Sequence, residues 1–301
     1  MRGRTRGGIL LAGLLLLAGL LLAGCADTPE TGEDLLPEES ATAAGEIRVT
    51  DDAGREWRFD VPPERVISLV PSSTGILRAL GMEERLVART DFDRDTPLAG
   101  LPSVGGGLHP SVEVLTALDP DLVVRFEGPT DRATPETLDR RDIPHLAIRP
   151  DTIGDIRRII RMLARTMGVE ERGEALVAEM DHGIDSVRAL VADRPRPRVV
   201  FLLGGDPPWV AGADTFLDEL VEIAGGENIF ADTGPLYAPV SIEEIIQRDP
   251  ELILATEGSR VPPALQSLPL RRVPETVQSP GVEVARSAAT LARILHEPEG
   301  R

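Results

Sequence analysis

Cysteine is all but missing from this chain: of 301 residues, Cys25 alone carries a thiol, so no disulfide can close within it. Aromatic residues are also scarce, with six Phe, two Trp and one Tyr. The four histidines are nowhere paired at zinc-ligand spacing, which argues against dedicated zinc capture. Basic residues are outnumbered, 32 against 50 acids, and such a surface suits neither nucleic acid nor anionic membrane. It does favour solubility. No GxSxG, P-loop or GxGxxG occurs in the folded part, so the usual marks of a hydrolase, a nucleotide triphosphatase or a dinucleotide enzyme are missing.

A long apolar run exists in one place only, the start, MRGRTRGGILLAGLLLLAGLLLAGCADTPETG. Arg2, Arg4 and Arg6 precede it and Leu22-Ala23-Gly24-Cys25 closes it, the layout of an export signal. Its length is borderline for a membrane span, but the closing tetrapeptide resembles the lipobox of bacterial lipoproteins, which implies removal of residues 1–24 and a lipid on Cys25. Cleavage would take away three arginines and no acid, leaving the rest more acidic still. The stretch 25–44 is acidic, rich in Pro, Ser and Thr and poor in large apolar residues, so it is expected to be a flexible tether.

From residue 45 onward strand and helix patterns alternate. RVISLV is a β-rich run, and PSSTGILRALG supplies a Ser/Thr start and a Gly stop for a helix. Further units follow up to the strand HLAI, a rhythm that implies a mostly parallel sheet covered by helices. Residues 152–194 change to one continuous helical pattern, bent at most near Gly168, and Pro195 to Arg198 end it. The strand-helix rhythm then restarts with RVVFLL. Two stretches in the two halves nearly coincide: SVEVLTALDPDLVV from Ser111 and SIEEIIQRDPELIL from Ser241 share Ser, Glu, Asp-Pro and an apolar finish at the same places. The expectation is an α/β protein of two similar lobes, 45–151 and 195–301, joined by a helical spine, 152–194.

Two lobes imply a cleft, and in open α/β sheets ligands bind beyond the carboxyl ends of the strands. The loops expected there hold Phe92, Phe126, Trp209 and Tyr237, four of the nine aromatics. As a set they suit a flat, partly apolar ligand, although each is equally explained by ordinary packing. Arg94 and Arg125 are candidate clamps for an anionic ligand, with Asp91, Asp93 and Glu127 blunting their charge. The triple glycine 105–107 is read as a flexible cleft edge rather than a phosphate or oxyanion loop.

The lipobox, RVISLVPSSTGILRALG, ALDPDLVV, the long central helix, GGDPP, AGGENIF and VSIEEIIQRDPELIL together resemble the substrate-binding lipoproteins of ABC importers for cobalamin, ferric siderophores and haem, the helical-backbone periplasmic binding proteins, with the cobalamin binders most similar. The resemblance runs from about Arg65 to Thr256 and lies in order and spacing. It implies a rigid, monomeric, non-enzymatic receptor that presents its ligand to a permease dimer, with no cofactor, and it puts Glu113 and Glu243 on positions that meet permease arginines. The bland reading of both acids is a favourable place in the first turn of a helix, and Ser241 with Glu244 has capping-box spacing.

The tryptophan that cobalamin binders carry before the first repeat is replaced here by VGGGLHP, where the tyrosine common in haem binders is also missing and His109 is a weak iron ligand candidate. Ferric siderophore or haem uptake is therefore the alternative to a corrinoid. Ligand sensing and a lipid-anchored enzyme stand further back. The compressed segment after ELILAT departs from the family pattern and leads to the expectation of a reduced second sheet or a shallower cleft wall.

Overall fold

The computed structural model describes residues 46–93, 96–129, 131–234 and 236–297. Cys25, the export signal, the tether and Arg94 lie outside the described residues.

The described chain opens with a hairpin, β1 (Ile47–Thr50) and β2 (Glu56–Phe59), paired antiparallel. Its turn is held by Asp51, whose carboxylate accepts from the Ala53 and Arg55 amides at 3.0 and 2.9 Å. The first lobe then follows as β3 (Val66–Ser68), α1 (Pro71–Ala79), β4 (Leu86–Ala88), α2 (Val112–Ala117), β5 (Leu122–Phe126), α3 (Ala133–Asp139) and β6 (His145–Ile148). Its four strands are parallel, in the order β4-β3-β5-β6. Strands buried on both faces read as continuous apolar runs. In β5, Leu122 and Val124 enter one core cluster while Val123 enters another with Leu115 of α2 and Leu138 of α3.

The helical stretch is not continuous. Helix α4 (Ile153–Thr166) begins at a capping box made by Thr152 and Asp155, which satisfies two backbone donors reciprocally. It stops at Gly168, whose φ of +70° is open to glycine at little cost. Helix α5 (Glu170–Val191) then runs back along it. Arg157 pairs with Asp181 at 2.7 Å and Arg161 with Glu174 at 2.8 Å, and Gly173 lies so close to Ala164 that a Cβ there would overlap the alanine methyl. The spine is thus a helical hairpin whose 22-residue arm spans about 33 Å at 1.5 Å per residue.

The second lobe consists of β7 (Arg198–Gly204), β8 (Trp209–Ala211), α6 (Phe216–Ile223), β9 (Glu227–Asn228), β10 (Tyr237–Pro239), α7 (Ile242–Gln247), β11 (Leu252–Thr256), β12 (Leu270–Val273) and α8 (Val284–His296). Its path is β10-β8-β7-β11-β12, with β9 beside β7. The reduction expected here is corrected: this sheet has six strands and the first has four. The compressed segment still forms β12, because Leu270 to Val273 pair in parallel with Ile253 to Thr256. One core cluster runs from Val66, Leu122 and Leu146 through α4 and α5 to Phe201, Leu254 and α8, so the lobes share an interior.

Candidate functional site

The repeated units agree down to single hydrogen bonds. Ser111 and Ser241 cap α2 and α7 by accepting from the Val114 and Glu244 amides at 3.4 and 3.0 Å. Asp119 and Asp249 end the two turns at φ of 44° and 50°, a region Asp tolerates better than most residues. Arg65 donates to the Asp119 and Leu118 carbonyls, and Arg198 donates to the Arg248 carbonyl. Glu113 and Glu243 are exposed on the first turns. The capping box expected of Glu244 forms only by half, because its carboxylate turns to Arg248 at 3.1 Å.

The parallel strands of both lobes end toward the loops expected to form the cleft. Gly281, just before α8, approaches Ser72 at the start of α1, so a Cβ there would stand 3.6 Å from the serine Cβ. Phe92 follows β4 and is 63% exposed; Trp209 opens β8 and is 43% exposed. Trp209 lies against Gly205, where a Cβ would come within 2.8 Å of the indole. Phe126 ends β5, half-buried, with its ring folded over Gly128, where a Cβ would meet it at 2.6 Å. Tyr237 starts β10 opposite Ala211 and packs against the shared core. Burial, then the nearby Asp151 charge, pushes its phenol up to about 12.

The glycine loop is explained by packing. A Cβ on Gly107 would collide with the Leu69 carbonyl, so the loop closes against the end of β3 and leaves Leu108 and His109 exposed. Among the described residues no group of three or more His, Cys, Asp or Glu could hold a metal ion.

Arg125 is not an open cleft cation. It is 8% exposed, donates from Nε to His145 Nδ1 at 3.1 Å and from Nη1 to Glu127 at 2.8 Å and to the Phe126 carbonyl at 3.2 Å. Since arginine only donates, His145 Nδ1 must accept, and its proton sits on Nε2, which donates to Asp139 at 3.2 Å. Burial pulls the His145 pKa down. The hydrogen bond from Arg55 holds the Asp139 carboxyl below its ordinary value. Arg55 also lies 3.8 Å over the Trp57 ring, and Trp57 meets His145 edge-on at 5.1 Å. Sequence patterns carried no signal for this network, because its members come from the hairpin turn and β2, from β5 and the residue after it, from β6 and from α3.

Two α/β lobes are thus packed on a helical spine through one shared core. The chain belongs to the periplasmic binding protein family, whose model matches residues 66–279, and that family comprises solute-binding proteins of ABC importers rather than enzymes. It is similar to the Vitamin B12-binding protein of Vibrio parahaemolyticus, 28% identical over 65% of this chain and 71% of that protein. An uncharacterised ABC transporter substrate-binding lipoprotein of Bacillus subtilis is 26% identical over 85% of this chain and 82% of its own. Among solved structures, the apo periplasmic heme-binding protein of Roseiflexus superposes with a TM-score of 0.66 at 28% identity, over 76% of this chain and 96% of that one.

Proposed function

We propose that this protein is an extracytoplasmic lipoprotein, anchored through acylated Cys25, that takes a cobalamin-type corrinoid between its lobes and delivers it to an ABC importer. The observation that carries this reading is the pair of exposed aromatics, Phe92 and Trp209, on loops at strand ends of opposite lobes. Aromatic side chains left exposed on such loops offer flat faces on which a planar ligand can stack. Phe126 extends the aromatic wall and Tyr237 closes it on the spine side. The likeness to vitamin B12-binding proteins supports the choice of ring. Glu113 and Glu243 face the two permease subunits, one from each lobe, and the protein works as a monomer.

Haem is the second reading, favoured by the heme-binding structural neighbour and by the exposed His109. Calorimetry together with tryptophan fluorescence separates the two, using cobalamin, haem and several ferric siderophores. Trp57 is the other tryptophan, so Trp209→Phe serves as the control for the reporter. Cobalamin is expected to quench Trp209 at micromolar concentration. No response at tens of micromolar, with a clear response to an iron complex, overturns the corrinoid.

A further inference from the structure

Beside the Phe126 end of β5 lies a cavity of roughly 480 Å³ in the first lobe, bounded by Ala53 of the hairpin turn, the Glu127 to Pro129 segment, the start of α3 and Arg149 after β6. Three arginines line it: Arg125, Arg132 and Arg149. Three acids line it too, but each is turned to a partner. Glu127 accepts from Arg125, Asp131 accepts from the Thr134 amide at 3.0 Å, and Glu136 pairs with Arg140, which is outside the cavity, at 4.0 Å.

The cations nevertheless keep donors in reserve. Among the described residues nothing pairs with Arg132, and the Arg149 guanidinium engages one acid, Asp151, through Nε at 2.5 Å. Arg125 has Nε and Nη1 engaged and its Nη2 without a described partner. Glu127 offsets part of its charge through Nη1 at 2.8 Å, while the neutral His145 ring fixes the guanidinium through Nε at 3.1 Å without adding a second negative charge. A buried, rigid arginine with a free edge is a preorganised donor for a planar or tetrahedral oxyanion. Gly128 belongs to the cavity wall and carries the Phe126 ring over it, so the cavity adjoins the aromatic wall.

We infer that this cavity is an oxyanion subsite, which receives a carboxylate or phosphate arm of the ligand whose ring lies against Phe126. The inference rests on the proposed cleft-binding role for the arm's owner, but not for the site itself. Citrate probes the site alone. Calorimetry should show saturable citrate binding to the protein, weakened about tenfold or more in Arg132→Ala/Arg149→Ala and recovered to within about threefold in Arg132→Lys/Arg149→Lys, because these two cations are exposed and supply charge rather than packing. No saturable binding to the unaltered protein, or equal binding in the alanine pair, overturns the site.

Two ligand pairs identify the arm. Cobalamin against cobinamide tests a phosphodiester, and haem against its dimethyl ester tests carboxylates. For the ring that binds, the affinity ratio within its pair should fall by about tenfold in the alanine double variant. A ratio unchanged for both rings overturns the entry of an arm into the cavity. If neither ring binds while citrate behaves as expected, the proposed function fails and the oxyanion site stands.

Discussion

Arg125 donates to a histidine, and a histidine that accepts on Nδ1 cannot be protonated there without losing that bond. His145 is 2% exposed, and burial lowers its pKa from 6.5 in the folded state. The unfolded chain therefore binds the extra proton first, and stability contributed by the neutral ring is present above pH 6.5 and falls as the pH drops below it. Half-buried carboxylates such as Asp218 and Glu219, held above their ordinary values by desolvation, slope the other way, so the histidine is isolated only by difference. His145→Gln can accept from Arg125 and donate to Asp139 without titrating. Its melting temperature should change less between pH 7 and pH 5 than that of the parent, and parallel curves for the two proteins would contradict the assigned tautomer. The chain has no lysine, and a lysine at 125 could not reach His145 and Glu127 together with a planar fork. The sequence pattern placed Arg125 on a strand near the cleft. That its guanidinium is engaged inside the lobe was illegible, since His145 reaches it only through the β5-β6 pairing.

At the scale of elements, the repeated helix-strand unit is the clearest case of legible structure. Its cap, its Asp-Pro stop and its apolar finish are local in sequence, so both copies could be read before any contact was known. The spine was half legible: its apolar spacing predicts helix, but Gly168 serves a bend and a reversal equally well. The long-range fit of Gly173 on Ala164 decides for reversal. If Glu113 and Glu243 dock on permease arginines, Glu113→Arg and Glu243→Arg should each leave ligand affinity as it is and lower uptake, with the double variant lowest, because like charges set face to face are penalised at an interface. A role confined to the helix dipole forecasts a loss of about 0.3 to 1 kcal/mol in stability with uptake per folded molecule intact. Normal uptake by the double variant eliminates docking.

At the scale of the molecule, the shared core decides how the lobes behave together. Leu163 of α4, Met180 of α5 and Leu291 of α8 belong to the same buried cluster as the inner faces of both sheets. The second lobe is further tied to the end of the first where the Asp151 carbonyl accepts from the Phe216 amide at 2.5 Å, and to the spine where Glu219 accepts from the Ile153 amide at 2.5 Å. Neither lobe can expose its inner sheet face without stripping the spine, so one cooperative unfolding step is expected, although proteins of this size often unfold in stages. The two tryptophans give the test, because Trp57 reports the first lobe and Trp209 the second. In Trp209→Phe the remaining fluorescence, and in Trp57→Phe likewise, should share its urea midpoint with the far-ultraviolet circular dichroism of the same variant. Leu163→Ala leaves a cavity in the spine and costs about 2 to 5 kcal/mol. Introduced into either reporter, it should move fluorescence and dichroism down together, since the same spine supports both sheets. A Trp57 signal displaced by Leu163→Ala while the Trp209 signal stays in place would mean that the lobes fold as separate units on a spine that belongs to the first alone.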